Sequence, residues 1–322
     1  MSLSQGVRVK VPASTANLGP GFDTLGMALS LYSWIELKPA DRTEIHLHGD
    51  EMKGLPVDKS NMIYKVAQMV FDEAGESVPE LEVSMYSDIP LARGLGSSAS
   101  AIVGALYAAN ALIGSPLSES KLFDMATALE KHPDNVGASL FGGIITAAWD
   151  GKHADYIRIE PPARLGTVVV IPDFHLATSK AREALPAQVN LADAVYNISR
   201  SSLMTAALSA GRLDLVRAAM QDRIHQPYRA PLVPGMPRIL AEAPDQGALG
   251  VALSGAGPTI IAFVDRDDRR VDDLKAYLVR AMEAEGIPSS CFSLDPAAEG
   301  VQIMDDINNR SFLDMIRGEV TA

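Results

Sequence analysis

The sequence predicts an α+β fold in two parts, and three observations carry that prediction. The chain has 322 residues, too many for one average domain and comfortable for two. Runs that alternate apolar and polar residues are interspersed with runs of helical spacing along the whole chain. Between 155 and 166 the pattern breaks at Pro161-Pro162 and a group of charged residues, which sets the expected division at 1–160 and 161–322.

In the first part, residues 7–11 alternate as a strand, and a turn-rich stretch is expected from Pro12 to Asp23. Strands follow over 32–38 and 44–48. Met62, Val66, Met69 and Val70 mark one side of a helix over 62–74. Residues 80–86 alternate again. Residues 99–113 are rich in Ala, Leu and Ile and stop at Gly114 and Pro116, which predicts a helix. A second helix is predicted over 118–131, with Ser118 as N-cap and Glu119 in the first turn, ending where Pro133 constrains His132. Gly142-Gly143 precedes a strand over 144–148. In the second part, strands are expected over 167–171, 249–253, 259–264 and 291–294, and helices over 191–210, 214–221, 237–243 and 271–285. In the tail, 296–322, Phe312, Met315 and Ile316 have helical spacing.

Composition narrows the chemistry. Apolar residues make up 47% and charged residues 21%, ordinary for a globular protein able to bury a full core. Lys and Arg total 28 against 40 Asp and Glu, a net charge of −12 with no basic block, so nucleic acid is a poor partner. The single cysteine, Cys291, permits no intrachain disulfide and no thiol-rich metal site. The N-terminal residues lack an apolar core of signal-peptide length, and no run is suited to a membrane span; a cytoplasmic protein is the expectation.

The run Pro90-Leu91-Ala92-Arg93-Gly94-Leu95-Gly96-Ser97-Ser98-Ala99-Ser100 stands directly before a predicted helix. The first turn of a helix offers N–H groups without intrahelical partners at the positive end of its dipole. Glycines at 94 and 96 let backbone approach a bulky anion, and the Ser97 and Ser98 hydroxyls suit phosphate or a hard cation. It is not a Walker A loop, which requires Gly-Lys-Ser/Thr. Taken alone, it is equally a glycine-rich turn whose serines cap the helix.

The loop has company. The runs VPASTANLGPGFDTLG at 11–26 and SGAGPT at 254–259, which includes Gly255, Ala256 and Gly257, flank it in the chain. Three such motifs in this order resemble those of the GHMP kinases, the superfamily named for galactokinase, homoserine kinase, mevalonate kinase and phosphomevalonate kinase. Further runs, HPDN at 132–135, TSKAR at 178–182 and HQPYRAPLVPG at 225–235, are similar to its homoserine-phosphorylating branch.

The resemblance implies an N-terminal ribosomal-protein-S5-domain-2-like α/β domain and a C-terminal ferredoxin-like α+β domain, with the active site between them. It implies transfer of phosphate from ATP to the side-chain hydroxyl of L-homoserine, a step toward threonine; a homodimer is a family-level expectation. In that setting the 90–100 loop binds ATP and the 255–257 motif packs against it. Arg182 and Arg229 clamp the substrate carboxylate, Asp23 pairs with its ammonium, and Asn17 and Thr178 complete the pocket. Asn135 and His132 lie near the hydroxyl and the γ-phosphate, and Asp134 orients neighbouring backbone without acting as a base. Mg²⁺ is expected on Ser98 and a carboxylate, Glu130 being favoured over Asp124. Each residue also has an ordinary reading: arginines in surface pairs, Asp23 and Asn17 capping turns, His132 at a helix end. Lys131 departs from the family pattern, which has glycine there in many members.

Overall fold

The computed structural model describes residues 5–304 and 310–320; residues 305–309 and 321–322 of the tail, like 1–4, lie outside it. The first part forms β1 (Val7–Ala16), β2 (Leu25–Pro39), β3 (Glu44–His48), α1 (Met62–Ala74), β4 (Leu81–Ser87), α2 (Ser97–Leu112), α3 (Glu119–Glu130), α4 (Asp134–Phe141), β5 (Ile144–Trp149) and β6 (Ala154–Ile159). The second forms β7 (Leu165–Pro172), α5 (Thr178–Glu183), α6 (Leu191–Ser209), α7 (Val216–Ala219), α8 (Gln226–Arg229), α9 (Met236–Glu242), β8 (Gly250–Leu253), β9 (Ile260–Asp265), α10 (Val271–Glu283) and β10 (Ser289–Leu294). The tail adds β11 (Gln302–Ile303) and α11 (Phe312–Val320).

Two sheets result. The first runs β11-β1-β2-β4-β3, with β5 paired to β2 and β6 to β5. Only β3 and β4 run parallel among these pairs. The second is antiparallel in the order β10-β7-β9-β8. With helices between β7 and β8 and between β9 and β10, this is the ferredoxin-like arrangement. The chain passes from one sheet to the other between Ile159 and Leu165, across Pro161-Pro162.

One core lies between the first sheet and α1 to α4, centred on Val9, Val11, Ile35, Leu37 and the helix α2. α2 is buried around most of its circumference, as its Ala-rich composition permits. A second core joins the two parts through Leu18, Leu25, Met27, Leu95, Met204, Met220 and Ile261. A third lies beneath α9 and α10.

The structure corrects several expectations. Residues 12–16 are strand, not turn. β1 carries a register shift between Pro12 and Ala13, and β11 pairs only with Val9 and Lys10, so the missing N–H of Pro12 breaks no ladder. The turn is confined to Asn17–Thr24, where Asn17, Leu18 and Asp23 have positive φ. Residues 134–141 and 178–183, over which no element was expected, are helices, and 154–159 form an edge strand. Lys131 caps α3 in the left-handed region at φ 73°, a geometry that favours glycine and that Lys131 adopts with some strain.

Candidate active site

The three glycine motifs meet. β1 ends against the 90–100 loop, with Ser14 N donating to Leu95 O (3.1 Å). The loop rests on the 254–259 turn: Ser254 Oγ donates to Gly94 O (2.6 Å) and Thr259 N to Arg93 O (3.2 Å). Asn17 Nδ2 donates to Gly255 O (2.9 Å), closing the triangle. Gly94 and Gly96 make this approach possible. Both have positive φ, and a Cβ would fall 2.4 Å from Ser254 O and 2.1 Å from Ser14 Oγ.

The junction walls a cleft of about 230 Å³ lined by residues from every motif. Its floor is the start of α2. The N-cap is Gly96, and no side chain caps the helix; Ser100 Oγ turns inward to Ser97 O (3.0 Å). The serines therefore leave the first-turn N–H groups facing the cleft, and the positive end of α2 is aimed at whatever occupies it.

Gly94, Gly96, Ser97, Ser98, Ala99 and Ala92 line the cleft. Other members of the expected ATP-binding run do not. Leu95 and Ser100 are buried behind it. Arg93 points away, donating Nη2 to Asp173 Oδ1 (2.9 Å) and Nη1 to Pro172 O, so it struts the loop against the end of β7. Leu91 lines a neighbouring apolar cavity of about 260 Å³ with Met52, Ile63, Met85 and others, and Ser97 and Ser98 belong to both. Sequence reasoning missed this second cavity. Its residues come from β3, α1, β4 and the 50–56 turn, and no local motif joins them.

At the other end stand the charged groups. Arg229 is only 2% exposed. Its Nη1 donates to Gly255 O (3.0 Å) and His225 Nδ1 (3.3 Å), and its Nε to Ala181 O (3.1 Å). It makes no ion pair among the described residues, and burial followed by repulsion from Arg182 lowers its pKa to about 10. His225 is fully buried; its Nε2–H donates to Gly19 O (2.7 Å) while Nδ1 accepts from Arg229, which fixes the neutral tautomer. Arg182 and Asp23, expected to hold opposite ends of a substrate, instead hold each other through two 2.9 Å bonds. Asn17 lines the cleft, yet its carboxamide is engaged locally: Oδ1 accepts from Asp23 N (3.1 Å) and Nδ2 binds Gly255 O. Thr178, the first residue of α5, also lines it.

Between these ends lie the residues of α3 and α4. His132 Nδ1 is 2.7 Å from Asp134 Oδ1, which also accepts from Asn135 N (2.7 Å). Burial alone would lower the His132 pKa, but Asp134, Asp23 and Glu130 outweigh it and push it up to about 9. Ser14 Oγ donates to Asn135 Oδ1 (3.2 Å), leaving the NH₂ as the donor Asn135 offers the cleft. Glu130 lies on the wall with one oxygen, Oε1, buried and without a hydrogen-bond partner. An unpaired buried carboxylate oxygen on the wall of the cleft that Ser98 also lines fits a hard divalent cation. Asp124 does not compete: it accepts from Ala154 N (2.8 Å) and pairs with His153, outside the cleft. Asp23, His132 and Asp134 also bring ligand atoms within 4.8 Å of one another, but all three already pair with protein groups.

Residues 61–143 match the GHMP kinases N terminal domain family, and residues 204–284 match the GHMP kinases C terminal family. Homoserine kinase of Deinococcus radiodurans is 45% identical over 91% of this chain and 96% of its own length. That of Moorella thermoacetica is 44% identical over 92% and 99%. A crystal structure of homoserine kinase from Cytophaga hutchinsonii, 27% identical, superimposes with a TM-score of 0.84 over 94% of this chain and 99% of that one. Lactococcus lactis galactokinase, at 17% identity, shares the fold with a TM-score of 0.67, covering 94% of this chain and 96% of its own. With both domains matched and the three motifs joined around one cleft, the chain belongs to the homoserine kinase family of the GHMP kinases.

Proposed function

We propose that the cleft transfers the γ-phosphoryl group of ATP to the side-chain hydroxyl of L-homoserine, giving O-phospho-L-homoserine and ADP, a step of threonine biosynthesis in the cytoplasm. One observation carries the reading: an uncapped helix start faces, across a single cleft, a buried guanidinium that has no carboxylate partner among the described residues. The first suits a polyphosphate. The second suits the carboxylate of a small substrate, since an unpaired buried charge is costly and a ligand relieves it.

In this reading the chain works as two bodies divided at 160/161, with the nucleotide on the first. The apolar cavity beside Ser97 takes the base and the α2 N–H groups take the phosphates. Arg229, Arg182 and Asp23 take the amino-acid end, with Thr178 beside them; Asn17 acts by holding the loop that carries Asp23. Ser98 and Glu130 would hold Mg²⁺, which neutralises charge on the phosphate oxygens when bound.

Phosphoryl transfer passes through a loose transition state, so position and charge matter more than a strong base. His132 is a cation at neutral pH because Asp134 holds its proton, so it stabilises negative charge and cannot accept the hydroxyl proton. Asp134 is 1% exposed and already binds His132 and Asn135 N. It positions both residues. Asn135 offers its NH₂ to the reacting oxygen. The hydroxyl proton leaves with the transferred phosphoryl group.

A coupled assay of ADP release with L-homoserine, D-homoserine, L-threonine and mevalonate tests the assignment. Turnover confined to, or strongly favouring, L-homoserine is the expected result. Preference for mevalonate would move the chain to another branch of the superfamily.

A further inference from the structure

The phosphate loop contains an arginine that does not face the phosphates. Arg93 turns out of the cleft, and both of its terminal nitrogens bind the end of β7: Nη1 donates to Pro172 O and Nη2 to Asp173 Oδ1 (2.9 Å). Its neighbour repeats the link. Ala92 lines the cleft and takes a positive φ of 53°, which is costly for an alanine, and its carbonyl accepts from Leu176 N (3.2 Å). Two consecutive loop residues thus hold both ends of the 172–176 turn.

That turn leads straight into the opposite wall of the cleft. Leu176 is buried, Ala177 is the N-cap of α5, and Thr178 and Arg182 on α5 line the cleft. α5 has little hold of its own. Only Ala181 of its six residues is buried. Apart from the turn, it is secured by Arg229 Nε on Ala181 O (3.1 Å) and by the part-exposed pair of Arg182 with Asp23. An element with so few buried contacts takes its order from its neighbours. A polyphosphate that fixes the loop therefore fixes the start of α5, and a small substrate arriving second meets a wall already ordered. Linkage makes the effect reciprocal. The ion pair itself contributes little, because Asp173 is 70% exposed. What Arg93 supplies is direction, through a planar fork held at two points.

We propose that Arg93 is a positioning residue that makes the phosphate loop and the start of α5 move as one, so that nucleotide and amino acid bind cooperatively. The proposal rests on the homoserine reading of the cleft and adds the dependence of each ligand on the other. The 254–259 turn offers a second path, since it holds the loop at Gly94 O and Arg229 at Gly255 O. Removing Arg93 should therefore diminish the coupling without abolishing it.

Calorimetry tests this on the full chain. The dissociation constant of L-homoserine is measured without nucleotide and with saturating Mg²⁺ and a β,γ-imido analogue of ATP, and their ratio is the coupling. The native chain should show a ratio of roughly fivefold or more. In Arg93→Gln the ratio should fall by at least about threefold, the worth of one or two hydrogen bonds, while L-homoserine alone binds nearly as before. Arg93→Lys keeps the stem and the charge but not the fork, so its ratio should lie between the two. It also stands in for Arg93→Gln where that variant does not fold. A native ratio near one overturns the proposal. So does either variant that keeps the native ratio, even if its affinity for the nucleotide drops, because Arg93 would then only shape the loop. A native chain that binds no L-homoserine under either condition ends the homoserine reading itself, a result distinct from these.

Discussion

At the scale of single residues, His225 shows how a buried neutral group ties structure to pH. It touches Gly19 O, Arg229 and the Phe22 ring, with Asp222 nearby. Burial, followed by the neighbouring Arg229, lowers its pKa below 6.5 despite the opposing pull of Asp222 and Asp23. The sign follows. Below pH 6.5 the unfolded chain binds a proton that the folded chain refuses, so stability falls as pH falls. His225→Gln retains a donor for Gly19 O and removes the titration. Its unfolding free energy, read by urea titration at each pH, should fall less steeply than that of the native chain between pH 6.5 and about 5.5, by up to about 1.4 kcal/mol over that unit. Parallel curves would show that His225 accepts a proton in the fold. The sequence placed His225 inside a recognisable run but gave no sign that it braces Arg229, because that contact depends on a four-residue helix.

At the scale of elements, the 90–100 loop depends on backbone proximity. Gly94 has φ 82°, and any Cβ there would meet Ser254 O and Gly257 O, both backbone atoms that cannot swing aside. Gly94→Ala should lift the loop from the 254–259 turn and spoil the alignment of the α2 start with ATP. The expected result is a rise in the KM for ATP or a fall in kcat of roughly tenfold to a hundredfold, matching about 1–3 kcal/mol of strain. Gly211→Ala is the control. It also has positive φ, 65°, but nothing lies within 4 Å of the added carbon. It should lose stability while keeping the KM for ATP. Equal kinetic damage in both would reduce the loop's role to general strain.

The elements legible in the sequence were those with strong local signals. Ser118 caps α3 as its hydroxyl suggested, and α1 spans 62–74 as its spacing required. The short helices at 134–141, 178–183 and 226–229 were not legible, since one or two turns hold no periodic pattern and depend on packing. The site followed the same division. Motifs brought the right segments to the cleft but not every residue in them, since Leu95 and Ser100 lie behind it, and the outward turn of Arg93, the Asp23–Arg182 pair and the apolar cavity each require contacts between distant segments.

At the scale of the whole molecule, the order of elements does not keep each half of the chain to itself. β11 pairs with β1, and α11 lies on the first sheet, although both follow the second sheet in sequence. Alternation along β2 explains the landing place. Ile35 and Leu37 face α2, so Trp34 and Glu36 face the other way. Phe312, Met315 and Ile316, the helical triplet visible in the sequence, cover Trp34, and Phe312 also lies 5.7 Å beneath the Arg8 guanidinium. Arg8 and Glu36 form a buried pair under this cover, where loss of shielding alters both packing and hydration. Phe312→Ala should lower stability by about 3 kcal/mol in urea titration. The chain has two tryptophans, so a Trp149→Phe background assigns the emission to Trp34, which should shift to the red as water reaches it. The KM values for both substrates should hold, because α2 and the cleft lie across the sheet from α11. Unchanged stability and emission would mean that the tail does not seat on this face in solution. A shift in KM would mean that the sheet transmits the loss of its cover to the phosphate loop.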